Sequence, residues 1–520
     1  MRKPRSLGLL VVLALSFTTA CGSTAANRGS ALGGVGGTGG QSLSVNQGTT
    51  AGGAEVPGAT AETGTGTDTT GAVAGVPGAG GSGGSTGSGT TTGGGSTSSG
   101  SGTSTTGGGS GTSGGAAVTD PIKIGLFSTD FAKAAAAIGG GSAEEGTTVD
   151  GLWKRLITVM NKSGGVGGRK IEAVSYVQDG TSNNYPADYA AACEFFVRDQ
   201  KVEVVLAASI PDIDFASCLL KAGIPTINAS HSGPDRARWT RVPGLILPSG
   251  VSYDAAAVSM IDQLRAAGLL TTKDKVGVIL SECPNVQQVY RDVVAPRLKK
   301  YGIAVDAFTA NECIKGFSGV SSVGNGAQSA VLRFKTNGVT QVMPLLASLE
   351  NLMTALFATA AENQDYRPGY MLSTGGRAEE LKQGGTVPAN QFKNMKGVGW
   401  IPSYDLYTLG IKLSPQAQAC IKLGKDAGFT PANPTEQAGL IFACDVLVFL
   451  DAVLTKSRGV SDGDTIVSTA RSLTDYVSAQ TIGQPGDFKD VDNMESGQVF
   501  AANTSCNCIK YAGSPVKVGP

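Results

Sequence analysis

The sequence predicts an α/β protein built on doubly wound, mainly parallel sheets. Three observations point there. From residue 120 onward, short apolar runs alternate with apolar stripes at helical spacing, which is the pattern of strands wrapped by crossover helices. Runs such as 122–127 and 202–208 are apolar nearly throughout, as strands covered on both faces are. Residues 121–179 fit a strand, a helix and a strand into so little chain that a parallel pair with a right-handed connection is close to forced.

The opening unit can be justified residue by residue. Residues 122–127 are apolar, with Gly125 inside the run and polar or small residues at its ends. Ser142 stands three residues before Glu145, the spacing of a capping box that satisfies two orphan amides at a helix start. Val149, Leu152, Trp153, Leu156, Ile157 and Met160 then make one apolar stripe. Gly164 and Gly165 predict the stop, since glycine tolerates the left-handed turn after a helix end. Residues 171–177 alternate into the second strand.

The stretch from Met160 to Ile171 carries a family resemblance. Asn161, Gly164, Gly165, Val166, Gly168, Arg169 and Ile171 are similar to the N-A-x-G-G-I-x-G-R-x-I element of type I periplasmic binding proteins of the Leu/Ile/Val-binding kind. Tyr176, Val177, Gln178 and Asp179 are similar to the aspartate-ended strand that follows it in that family. The order of elements resembles the family over residues 120–520 and nowhere before. The fold this implies is two Rossmann-like lobes joined by a three-segment hinge, one lobe from residues 119–247 and 401–480, the other from 248–400 and 481–520.

Residues 1–20 read as an export signal, with Arg2, Lys3 and Arg5 ahead of an apolar core and a small-residue end. Cys21 follows Thr18, Thr19 and Ala20 and resembles a lipobox cysteine, with Thr18 where leucine is usual; lipidation there would leave the protein anchored to the cell membrane. Residues 21–118 form a tether. From 22 to 118 the chain carries only Arg28, Glu55, Glu62 and Asp68 as charges and no aromatic residue, so it cannot bury enough apolar surface to offset its chain entropy. As a flexible coil it reaches roughly 50 to 60 Å. Gly80, Ser82 and Gly84 match a nucleophile elbow by composition alone, without the strand and helix that would give the match meaning. The 41 basic and 41 acidic residues cancel, which gives no electrostatic case for nucleic acid.

Setting Cys21 aside leaves eight cysteines, an even set that favours disulfides in an exported chain. Sequence neighbours suggest Cys193 with Cys218, Cys283 with Cys313, Cys420 with Cys444, and Cys506 with Cys508, the last left open because so small a ring is strained and reducible. Zinc is disfavoured because paired C-x2-C spacing is missing and His231 is the single histidine.

Along the rest of the chain, helices are expected at 187–200 and 215–222 and strands at 202–208 and 224–227. The first hinge pass falls at 245–249. The second lobe then alternates helix and strand through 253–373, with helices at 286–301, 328–336 and 349–362. Residues 397–402 are expected to cross back, 415–427 and 435–454 to pack on the first lobe as helices, and strands near Thr481 and 498–500 to return to the second.

Open parallel sheets bind ligands at the carboxyl ends of their strands. Ser209, at one such end, and the loop 228–234 are therefore candidates, and that loop matches the family's T-P-A-A-T-x-P ligand loop without a gap. Ser230 and Ser232 are the expected hydroxyl contacts and His231 a further contact, although Ser209, Ser230 and Ser232 equally suit ordinary turn and cap positions and His231 a solvated loop position. Trp400, beside the second hinge pass, could stack on a ligand; Trp239 reads more as packing. The family's second-lobe acid is missing at Ser373, Thr374, Gly375 and Gly376. Glu282, Glu312 and Glu350 lie at strand ends and could substitute, Glu282 being the one carried into the candidate set.

These residues imply an extracytoplasmic solute-binding lipoprotein, expected to use no cofactor and no metal, that captures a small polar molecule such as an amino acid or related organic solute. The resemblance supplies the partner, an ABC-type permease; the protein is expected to be a monomer without enzymatic activity. A ligand-sensing lipoprotein that signals through a partner is the alternative, and an exported hydrolase a weaker one.

Overall fold

The computed structural model describes residues 117–137, 148–208, 212–346, 350–378, 381, 385–401, 413–481, 485–489 and 496–517. The expected export signal, Cys21, nearly all of the tether, Ser142, Glu145 and Ser209 lie outside the described residues.

Among the described residues the strands form two sheets. The first holds β1 (Ile122–Thr129), β2 (Ile171–Gln178), β3 (Val204–Ala208), β4 (Thr226–Asn228) and β5 (Leu245–Ile246), in the order β2-β1-β3-β4-β5 with every pair parallel. The second holds β6 (Lys275–Ser281), β7 (Ala304–Asn311), β8 (Gln341–Leu345), β9 (Gly369–Ser373) and β10 (Met395–Gly399), parallel in the order β10-β9-β8-β6-β7. An antiparallel hairpin, β11 (Ser496–Asn503) and β12 (Cys508–Lys517), extends its β10 edge.

The principal helices are α1 (Val149–Lys162), α2 (Tyr185–Glu194), α3 (Ile213–Lys221), α4 (Tyr253–Ala266), α5 (Val320–Thr336), α6 (Glu350–Asn363), α7 (Pro415–Asp426), α8 (Pro434–Lys456) and α9 (Gly463–Arg471). The stripe Leu152, Trp153, Leu156, Ile157 and Met160 of α1 is buried on one face of the first sheet together with Leu440, Leu447 and Leu450 of α8 and Ile466 of α9. Trp153 Nε1 donates to Ala443 O at 2.7 Å, joining helices nearly three hundred residues apart. Helix α8 is apolar and long enough to cross a membrane, but it is mostly buried here as a core helix. On the other face, Phe127, Tyr189, Phe196 and Phe215 pack as an aromatic cluster under α2 and α3. The second sheet is wound the same way, with α5 and α6 over one face and α4 over the other. Each sheet is thus a separately filled α/β layer structure.

Several elements depart from the sequence reading. Helix α1 is capped by Thr148, whose Oγ1 accepts from Gly151 N at 3.1 Å, so Ser142 is not its cap. Gly397 does not begin a crossing; it lies inside β10, where an added Cβ would come 1.8 Å from Leu372 O of β9. The chain leaves the sheet only after it. Thr481 is in a turn, its hydroxyl donating to Ser478 O at 3.1 Å, and not in a strand. Helix α5 starts at Val320, eight residues early, and α9 and β12 were not expected at all.

Disulfides join Cys193 to Cys218, Cys283 to Cys313, Cys420 to Cys444 and Cys506 to Cys508. The first ties α2 to α3 and the third α7 to α8, each across a buried seam. The second braces the end of β6 against the segment that follows β7.

Candidate functional site

Beyond β4 the chain makes a tight, self-bonded loop. Asn228 Oδ1 accepts from Ser230 N at 2.8 Å, and Ser230 Oγ donates to Ser232 O at 3.1 Å. That serine hydroxyl is spent on shaping the turn. The loop is also pinned to the first pass between lobes: Gly233 N donates to Val251 O at 2.8 Å, Val251 N to His231 O at 3.3 Å, and Tyr253 N to Pro234 O at 3.2 Å. Loop and pass therefore move as one body.

Ser232 faces the second lobe. A methyl group added at Gly375 would come 2.5 Å from Ser232 Oγ and 3.2 Å from both Glu350 Oε2 and Ser373 Oγ. Only a glycine leaves room for this approach. Ser373 ends β9; its hydroxyl accepts from Gly375 N at 3.1 Å and reaches Glu350 Oε2 at 3.5 Å. The Glu350 carboxyl, 6% exposed, is pushed up to about 8 by burial, against the opposing pull of bonds from Tyr253, Ser373 and the Leu346 amide. It is a neutral acid at pH 7, able to donate as well as accept. His231 is pushed down to about 3 by burial, with the positive Arg377 adding to the effect. Its imidazole is neutral, and Nδ1 is buried without a hydrogen-bond partner. The junction thus holds one fixed positive charge, a neutral imidazole, a neutral carboxyl and two serine hydroxyls.

Behind it, Ser249 gathers the passes of chain between the lobes. Its carbonyl accepts from Trp400 Nε1 at 3.0 Å and its hydroxyl from Gln480 Nε2 at 3.0 Å. Gln480 also approaches Ala229 O and Asp445 Oδ2, each at 3.2 Å. Asp445, fully buried in α8, takes further bonds from Ser478 Oγ at 2.8 Å and Ala479 N at 2.7 Å.

The lobes meet again at the far edge of both sheets. Tyr185 N donates to Lys315 O at 2.8 Å, Phe317 N to Ser182 O at 2.7 Å and Ser318 N to Asn183 Oδ1 at 2.8 Å. Gly316 sits flush on Asn183, whose backbone would lie 2.3 Å from an added Cβ. This is a closed arrangement of the two lobes.

Of the residues singled out in the sequence, the structure brings Ser232 and His231 to the junction. Ser230 supports their loop. Trp400 is 1% exposed, packed with Val251, Ala255 and Ala256, and its indole N–H is taken by Ser249, so its geometry is that of a hinge residue and not of a stacking platform. Glu282 is exposed, and the acid that reaches the junction is Glu350. Trp239 is fully buried, with its N–H on Leu245 O. Arg377 and Tyr253 were not singled out, and Ser373 and Gly375 were noted only as the stretch that lacks the family's acid; the signal for Arg377 was the Ser-Thr-Gly-Gly-Arg run directly after an apolar strand. Among the described residues no group of three His, Cys, Asp or Glu is placed to hold a metal ion.

No protein-family model and no curated relative matches the sequence. Solved structures match its fold. A branched-chain amino acid ABC transporter protein from Thermus thermophilus with bound valine is 13% identical with a TM-score of 0.57, over 77% of this chain and 97% of that one. A solute-binding protein of an ABC transporter from Rhodopseudomonas palustris HaA2, in complex with p-hydroxybenzoic acid, is 14% identical with a TM-score of 0.55, over 77% and 98%. A fatty acid ABC transporter substrate-binding protein from Thermomonospora curvata is 14% identical with a TM-score of 0.54, over 78% and 94%.

Proposed function

We propose that this chain, which has the two-lobed α/β fold of type I periplasmic solute-binding proteins, captures a small carboxylate-bearing solute between its lobes and delivers it to an ABC-type permease. One observation carries the reading: Ser232 from the first lobe and Ser373, Gly375 and Glu350 from the second converge at the ends of β4 and β9, where a single small molecule could touch both lobes. Neutral Glu350 and His231 offer polar contacts there that do not repel an anionic group, and Glu350 has a proton to donate to it. The solutes named for the three solved relatives, valine, p-hydroxybenzoic acid and a fatty acid, share a carboxylate. The reading includes an extracytoplasmic location, anchorage through Cys21, a monomer, and no catalysis.

The mechanism is a population shift. Contacts from both lobes exist only in the closed form, so a solute favours closure by the difference in its affinity for the two forms. The test is native mass spectrometry of the purified protein for a co-purified solute, followed by calorimetric titration with monocarboxylates, amino acids and uncharged amides. Saturable binding of a carboxylate that weakens in Ser232→Ala supports the proposal; binding of amides alone, or of nothing, overturns it.

A further inference from the structure

We propose that the Cys506–Cys508 pair is a thiol–disulfide exchange site, open to the thiolate of a small molecule or of another protein and separate from the interlobe junction. The pair closes the turn of the β11–β12 hairpin, where Asn503 and Cys508 are the last register partners. Residues 504–507 are exposed, so Cys506 faces solvent, whereas Cys508 is 4% exposed. One sulfur is open to attack and the other is sheltered. The hairpin runs antiparallel along β10, with Ala501 opposite Lys396 and Gln498 opposite Gly399. Its turn therefore lies past the start of β10, at the opposite end of the sheet from Ser373 and Glu350.

None of the other three disulfides has an exposed cysteine, Cys218, Cys283 and Cys313 being half-buried. Cys193, Cys420 and Cys444 are fully buried, and the cysteines of these three pairs are 24 to 30 residues apart, against 2 for Cys506 and Cys508. What sets Cys506–Cys508 apart is access, since Cys506 is the one exposed cysteine among the described residues, and exchange requires a thiolate to reach a sulfur of the bond.

In the exchange, an incoming thiolate attacks Cys506 Sγ. The Cys506–Cys508 bond breaks as the new sulfur–sulfur bond forms, and the electron pair leaves on Cys508 Sγ, which takes a proton from water. A second thiolate then attacks the mixed disulfide, releasing an oxidised dimer of the incoming thiol and leaving two cysteine thiols. The incoming thiols are the reductant, and the pair is the oxidant.

The test places the full chain in glutathione buffers of graded reduced-to-oxidised ratio, followed by acid quench, alkylation and mass spectrometry of each cysteine peptide. In each buffer Cys506 and Cys508 are expected to become alkylated sooner after mixing than any other pair, because only Cys506 is exposed to the thiolate, with near-ultraviolet circular dichroism unchanged. In Cys508→Ser, which traps the first step, a glutathione adduct is expected on Cys506, and a parallel arm offers a reduced cysteine-containing peptide. Adducts with glutathione alone assign the site to small thiols, and adducts with both extend it to protein thiols. Opening of the pair together with or after the others, or no adduct from either thiol, overturns the proposal.

Discussion

The side-chain amide of Gln480 donates to Ser249 Oγ at 3.0 Å, fastening the last pass of chain between the lobes to the first. Trp400 reaches the carbonyl of the same serine, so residues 151 and 231 positions away converge on one buried node. Gln480→Leu keeps the volume and removes the donor, leaving buried acceptors on Ser249, Ala229 and Asp445 short of a partner. An unmet buried group costs about 1–3 kcal/mol. The expected result is an unfolding free energy, taken from the urea midpoint and slope, lower by at least that amount; an unchanged midpoint would mean that the node is not what holds the passes.

Glu350 and His231 give stability opposite dependences on pH. Glu350 is raised from 4.5 to about 8, so between those values the folded chain holds a proton that the unfolded chain has released. Its contribution is full below 4.5 and is lost as pH rises through 8. His231 is lowered from 6.5 to about 3, so its contribution is full above 6.5 and is lost as pH falls towards 3. Between about 4.5 and 6.5 the two slopes, each about 1.4 kcal/mol per pH unit, cancel. Denaturation measured across pH should show a flat top there. Glu350→Gln should abolish the fall above 6.5 and expose a rise with pH below it; a profile identical to the parent's would contradict the placement of this acid.

Gly375 is a wedge site. A valine there would put its branched side chain into Ser232 Oγ, Glu350 Oε2 and Ser373 Oγ, with nowhere to go unless the lobes part. Gly375→Val is expected to enlarge the radius of gyration in small-angle scattering and to reduce solute affinity at least tenfold, while Ser232→Ala reduces affinity without lowering the melting temperature. A valine variant that stays closed would show that the two lobes do not bear on each other here.

The outer contact makes a separate forecast. Gly316→Val sets a side chain against the Asn183 backbone and breaks the seating of two inter-lobe amide bonds. At about 1 kcal/mol for each bond, the closed-to-open ratio of the empty protein should drop roughly ten- to thirtyfold. Fluorescence energy transfer between dyes on the two lobes would report it; equal transfer efficiency with and without the substitution would count against a closing role for this contact.

Much of the architecture could be read from local pattern. The Leu152, Trp153, Leu156 stripe and the continuous apolar runs report burial on one face or two, and the structure buries them so. Residues 508–517 alternate weakly and carry Gly513 and Pro515, so β12 has no periodic signal and is held by pairing with β11. Glu350 was one acid among three at strand ends; what distinguishes it is contact with Ser373 and Gly375, which lie beyond a whole helix in the chain. Trp400 looks the same in sequence whether it lines a pocket or fills a hinge, because its neighbour across the interface, Ser249, is 151 residues away.

The shared anchoring at Ser249 has a geometric corollary. Three passes tied at one residue bend about one pivot, and that pivot lies beside β5 of the first sheet and β10, the last parallel strand of the second. The Asn183–Gly316 contact hangs from β2 and β7, four strand spacings further out on each sheet, or roughly 19 Å. Displacement grows with lever arm, so a small rotation that hardly separates Ser232 from Gly375 swings Asn183 well clear of Gly316. A visitor enters by the rim and reaches the fulcrum last, and the rim is the place to put a probe that must register the smallest opening.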